Sequence, residues 1–240
     1  AGLVTVATAA SAQPVVAALI LEAMSVPVPE TAAQSVGPEA LGPLSELAER
    51  RDAVAIGPGL GLHEDTQALA RRLVFECARP FVVDADALTA LAGHLERLPG
   101  APAPRCLTPH PGEMARMLGV TVADVQRDRI ATVRQFATAW HAHVVLKGAT
   151  SAIGLPDGTV VLNPTGNPGM ASGGTGDVLT GILGAFLARG LPAADALVSA
   201  VYVHGLAGDV GAERHGQESL IAGDVIEGLP EAFRRIRGDD

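Results

Sequence analysis

The segment of this chain best suited to chemistry is 163–184, NPTGNPGMASGGTGDVLTGILG, which holds seven of the 28 glycines. At its centre, Gly173-Gly174-Thr175-Gly176-Asp177 runs directly into an apolar helical stretch from Val178 to Leu187. Glycine has no Cβ, so the backbone here can turn its N–H groups inward and approach a ligand closely. The helix start adds unpaired N–H donors and a partial positive charge. Gly173, Gly174, Thr175 and Gly176 therefore form a candidate anion hole suited to phosphate. No Gly-Lys-Ser/Thr closes the loop, so it is not a Walker A motif. Asp177 is the informative residue. A carboxylate in a phosphate-binding loop makes sense as a general base for a hydroxyl beside the phosphate, and the same residue could instead cap the helix.

Four further segments sit at strand ends. In Val82-Val83-Asp84-Ala85-Asp86-Ala87-Leu88, the two carboxylates fall at the ligand-binding edge of an open α/β sheet. Asp86 is expected to cap a helix starting at Ala87, while Asp84 is left open between ligand and structural roles. In LTPHPGE, Pro111 suits the first helical position and Glu113 the third, which makes His110 the cap residue with its ring on the ligand edge. The loop Ile56-Gly57-Pro58-Gly59-Leu60-Gly61 follows a strand but lacks the GxGxxG spacing of a dinucleotide loop. Lys147-Gly148-Ala149-Thr150-Ser151 ends another strand and could hold a nucleotide phosphate. His141 and His143 have no metal-ligand spacing and read as structural.

The elements that must position these residues can be read from apolar runs. Strands are expected at 3–8, 53–56, 81–83, 105–107 and 143–147, with a hairpin of 151–154 and 159–162 around Leu155-Pro156-Asp157-Gly158. Helices are expected at 12–24, 64–78, 86–97, 111–118, 121–141, 174–189, 192–212 and 223–236, with 25–43 as a proline-rich surface loop. The alternation implies a doubly wound α/β layer structure with a mostly parallel sheet and an edge hairpin. Lys+Arg 17 against Asp+Glu 26, with only 3% aromatics, argues against nucleic-acid binding. No apolar run is long enough for a membrane span. Cys77 and Cys106 form no CxxC pair, which favours a reduced, cytoplasmic setting. The chain starts at Ala1 and is strand-like by residue 3, so an upstream piece is expected.

In this order, GPGLG, VVDADAL, LTPHPGE, VVLKGATS and NPTGNPGMASGGTGDVLTGILGAFL closely resemble the motifs of the ADP-dependent NAD(P)H-hydrate dehydratase family. The resemblance runs from residue 1 to about residue 228. It implies a ribokinase-like three-layer α/β/α fold, with 1–240 as one domain lacking the family's first βα unit. It also implies a lyase reaction in which the S epimer of hydrated NADH or NADPH is dehydrated at the expense of ADP, giving AMP and phosphate. Carried over residue by residue, Gly59, Gly61, His110 and Asp177 would contact the hydrate. Lys147, Gly148, Ala149, Thr150, Ser151 and Gly176 would contact the nucleotide, and Asp177 would lie at the reacting hydroxyl. Mg²⁺ is expected with phosphoryl transfer, although no ligand set can be named. A homo-oligomer and, as in some members, an upstream epimerase domain or protein are also implied. The competing readings are a small-molecule kinase of the same fold, of the hydroxyethylthiazole or hydroxymethylpyrimidine type, and a non-catalytic nucleotide-binding module.

Overall fold

A computed structural model describes residues 1–238. The chain opens with a two-stranded parallel sheet, β1 (Thr5–Ala9) and β2 (Met24–Val28), joined by the short helix α1 (Gln13–Leu19). Helix α1 is shorter than the expected 12–24. The expected loop 25–43 instead begins in β2 and ends in helix α2 (Leu41–Glu49). Pro27 masked the strand, but it is tolerated in a strand at the rim of its sheet. Pro43 masked the helix, but it falls in the first turn, where a backbone N–H has no helical acceptor anyway.

A six-stranded sheet follows: β3 (Val54–Ile56), β4 (Phe81–Val83), β5 (Arg105–Leu107), β6 (His143–Leu146), β7 (Ala152–Gly154) and β8 (Val160–Leu162), in that spatial order. The first four are parallel and the last two form the expected antiparallel edge hairpin. The crossovers are α3 (Glu64–Glu76), α4 (Ala85–Leu91), and the run α5 (Pro111–Leu118), α6 (Val122–Arg127) and α7 (Arg129–Trp140). Two expected helices are divided. The segment 86–97 becomes α4 plus a 3₁₀ turn from Leu95, and 121–141 breaks at Asp128, whose side chain caps α7 through the Ala131 N–H at 2.8 Å. The C-terminal helices are α8 (Thr175–Ala188), α9 (Ala193–His215) and α10 (Ala222–Arg237).

Alternation along the strands sorts the core into two faces. Phe81, Val83, Leu107, Val144 and Leu146 pack with α3, α4, α5 and α7, whereas Val82, Cys106, Val145 and Ile153 pack with α8 and α9. The result is a three-layer α/β/α structure. One helical layer comes from the crossovers, while the other comes after the strands rather than alternating with them. Both faces being covered explains why these strands are short apolar runs. Arg105 is the exception among them. Fully buried, it spends its donors on the carbonyls of Val74, Cys77, Arg79, Ala103 and Pro104, and desolvation lowers its pKa to about 10.

Strands β1 and β3 are not hydrogen-bonded to each other. A cavity of about 520 Å³ lies between them, lined by Val4 and Val6, by Val54 and Ile56, by Leu44 and Leu69 of α2 and α3, and by Gly181 and Gly184 of α8. One end of this cavity reaches Asp177.

Candidate functional site

Four of the five sequence motifs lie beyond the carboxyl end of a parallel strand: GPGLG after β3, DADAL after β4, TPHPGE after β5 and KGATS after β6. The N-terminus of α8 closes the same edge. Gly174, with φ +87°, is the N-cap, and the first helical bond runs from the Val178 N–H to the Gly174 carbonyl at 3.1 Å. The N–H groups of Thr175, Gly176 and Asp177 therefore have no helical acceptor, as an anion hole requires. Asp177 stands at the third helical position, so it is not the cap. Burial and the nearby charge of Asp84 raise its pKa above the ordinary carboxylate value, while Lys147 acts the other way.

The loop leading into α8 is held by polar ties. Thr165 donates to the Tyr202 carbonyl at 2.9 Å, Asp209 accepts from the Gly166 N–H and the Asn167 amide at 2.9 Å each, and the Thr175 hydroxyl donates to the Met170 and Ser172 carbonyls. His204 of α9 donates from Nε2 to the Thr175 carbonyl at 2.8 Å. Burial lowers its pKa to about 4, so it remains a neutral prop beneath the loop.

Lys147 links the segments. Its Nζ donates to Asp84 Oδ1 at 2.9 Å and lies 3.8 Å from Glu113 Oε2. A Cβ built on Gly176 would stand 3.2 Å from the same nitrogen, so the ammonium is against the first turn of α8. Asp84, whose role the sequence left open, is buried at 1% exposure, and its Oδ2 accepts from the Thr180 hydroxyl at 2.8 Å. Asp86 does not cap α4. Its carboxylate, in the first turn of α4, accepts from the Gly61 N–H at 2.8 Å and ties the GPGLG loop to that helix. That bond spans 25 residues and had no local signal.

His110 caps α5 as expected: Nδ1 accepts from the Gly112 and Glu113 N–H groups, and Glu113 accepts from the His110 N–H at 2.7 Å. This capping box fixes the ring while leaving it exposed at the strand edge. The Pro109 carbonyl accepts from the Lys147 N–H at 2.8 Å, joining this corner to KGATS. Gly148, Ala149, Thr150 and Ser151 form the following loop, and Arg129 steadies it by donating to the Leu146 and Thr150 carbonyls. Glu113, Thr180 and Arg129 were not singled out from the sequence as site residues. Only Glu113 carried a signal, the capping box, and that signal does not foretell its approach to Lys147. Gly59 and Gly61, with φ +67° and +85°, are in the GPGLG loop, where positive φ favours glycine. Of that loop, Gly57, Pro58 and Leu60 line the cavity with Asp177, while Gly59, Gly61, His110 and Lys147 lie outside its lining. Among the described residues, the His, Asp and Glu ligand atoms that converge closely enough for a metal belong to His215, Asp224 and Glu227 at the α9–α10 junction, not to Asp84, Glu113 and Asp177.

A polar edge of this kind, with a lysine and an acidic residue at a glycine-rich helix start, fits phosphoryl chemistry, and comparison with known proteins specifies it. The family model for NAD(P)H-hydrate dehydratase matches residues 1–231. The chain belongs to the NAD(P)H-hydrate dehydratase family. The bifunctional NAD(P)H-hydrate repair enzyme Nnr of Moorella thermoacetica is 45% identical over 98% of this chain, which spans 44% of that protein. The ADP-dependent (S)-NAD(P)H-hydrate dehydratase of Bacillus subtilis is 38% identical over 80% of this chain and 67% of its own length. A crystal structure of the B. subtilis ADP/ATP-dependent NAD(P)H-hydrate dehydratase, co-crystallised with ATP/Mg²⁺ and soaked with CoA, superposes with a TM-score of 0.80 at 31% identity, covering 98% of this chain and 81% of that one. Hydroxyethylthiazole kinase from Pyrococcus horikoshii shares the fold at a TM-score of 0.63 and 20% identity, covering 98% of this chain and 88% of that one. The ribokinase-like architecture expected of a dehydratase-family member is therefore the one found. Among the described residues, no helix is long and apolar enough to cross a membrane.

Proposed function

We propose that this chain performs the ADP-dependent dehydration of the S epimer of NAD(P)H hydrate, restoring NAD(P)H and releasing AMP and phosphate. The observation that carries the reading is Asp177 in the first turn of α8, past the Gly174 cap and with a raised pKa, next in sequence to the free N–H groups of Thr175 and Gly176, where the Lys147 ammonium lies against the same turn. Water is a poor leaving group, so the hydrate hydroxyl is first converted to a phosphate ester. Asp177 accepts its proton as the oxygen attacks the β-phosphoryl group, and AMP leaves. The N–H groups of 173–176 and Lys147 stabilise the charge on the transferred group. The ring-nitrogen lone pair then expels phosphate, and loss of a proton from the adjacent ring carbon restores the dihydropyridine.

In this reading Gly59, Gly61 and His110 face the hydrate, and Lys147 to Ser151 with Gly176 face the nucleotide. Mg²⁺ would enter with the nucleotide, since among the described residues no cluster of His, Asp and Glu ligands converges at this edge and Mg²⁺ is readily held by phosphate oxygens and water. When bound there it neutralises phosphate charge.

Recovery of NADH absorbance from NADHX and ADP tests the reading. Asp177→Asn is expected to lower turnover by about 10²–10⁴-fold, and near-normal turnover would remove Asp177 from the reaction. In the unsubstituted chain, kcat/KM should fall as pH drops through the Asp177 pKa, at a pH above that of an ordinary aspartate, because protonation removes the base.

A further inference from the structure

We propose that Asp84 is a positioning residue, holding the Lys147 ammonium against the first turn of α8 so that an arriving phosphoryl group meets a fixed positive charge. The identity of that phosphoryl group rests on the dehydratase reading, but the positioning rests on geometry. A buried carboxylate is costly unless both of its oxygens are satisfied, and here they are divided between the loop after β6 and α8: Oδ1 takes Lys147 at 2.9 Å and Oδ2 takes the Thr180 hydroxyl at 2.8 Å. The backbone around Asp84 is tightly determined. Its N–H donates to the Ile56 carbonyl at 3.1 Å, and the next residue, Ala85, is held at φ +47°. At Gly57, a Cβ would come within 1.7 Å of the Asp84 carbonyl oxygen. The left-handed backbone of Ala85 is strain of a kind that persists only where the surroundings over-determine it.

Lys147 is a long, rotatable cation, and free it would sample many rotamers. Bound to Asp84, with side-chain exposure of 23%, it is confined to the space that Gly176 leaves by lacking a Cβ. Confinement of this kind removes the entropy that positioning would otherwise cost during the reaction. The charged and titratable groups that face this pair are Glu113 from α5, Asp177 from α8 and His204 from α9.

The test pairs Asp84→Asn with Lys147→Met in a double-mutant cycle. Asp84→Asn is expected to lower kcat by about 10²-fold, as a small misplacement of a reacting group can, with the Kd for ADP changed by less than about threefold. The double variant should be no slower than Lys147→Met alone, because Asp84 acts through Lys147. A double variant slower by a further tenfold would overturn the proposal, as would unchanged kcat in Asp84→Asn. If Asp84→Asn alone does not fold, the double variant, which removes both charges, supplies the same comparison against Lys147→Met. A readout without substrate separates this idea from the dehydratase reading. The Lys147 side chain, followed by NMR of its Cε–H groups in the ligand-free protein, should become markedly more mobile in Asp84→Asn, and unchanged mobility would count against the proposal even if NADHX proves not to be the substrate.

Discussion

The two sheets of this molecule are both begun by parallel β–α–β units, yet they end in different physical states. In the N-terminal unit, α1 has no buried residue, and Val15, Leu19 and Leu21 are 62, 77 and 84% exposed. Of β1, only Ala9 is buried. In the six-stranded sheet, β4 and β5 are buried throughout, and each face is sealed by helices. The candidate site uses the second sheet almost entirely. A constellation such as Asp84, Lys147 and Glu113 needs its side chains held within fractions of an ångström, and only a doubly covered sheet supplies enough packing to do that. The cavity between β1 and β3 marks where the two regimes meet.

The contrast can be broken by experiment. Phe81→Ala, at a fully buried position of the sealed sheet, is expected to cost about 3–5 kcal/mol in denaturant unfolding. A cost below about 1 kcal/mol would show that the sheet is not the stable core. Amide hydrogen exchange should then divide the strands, with β1 and β2 exchanging at least about 10²-fold faster than β4 and β5; equal protection would erase the distinction. At the small end, Leu19→Ser on α1 is expected to change stability by no more than about 0.5 kcal/mol, measured the same way. A larger loss would mean that α1 is packed against something in solution.

Local signals told most of the secondary structure. The Leu155-Pro156-Asp157-Gly158 turn folds as read, with the Leu155 and Thr159 backbones paired at 2.9 Å. The His110–Glu113 capping box is present with both of its bonds. These features span a few residues, so composition and spacing suffice. Strand β2 and helix α2 escaped because Pro27 and Pro43 look like breakers until their edge and first-turn positions are known. Asp177 stayed ambiguous for a related reason. Whether it caps or only follows the cap depends on where the helix begins, and Gly174 settles that by its positive φ.

The sequence by itself determined the family, the order of the motifs and the glycine-rich helix start, because each is written in contiguous residues. Tertiary structure decided the rest. Asp84 meets Lys147 across 63 residues and Thr180 across 96, and Asp86 turns from a local cap to the Gly61 N–H. No local propensity encodes those partners. They follow from the order in which parallel strands stack, which brings the ends of β3, β4, β5 and β6 to one edge and sets the start of α8 against them.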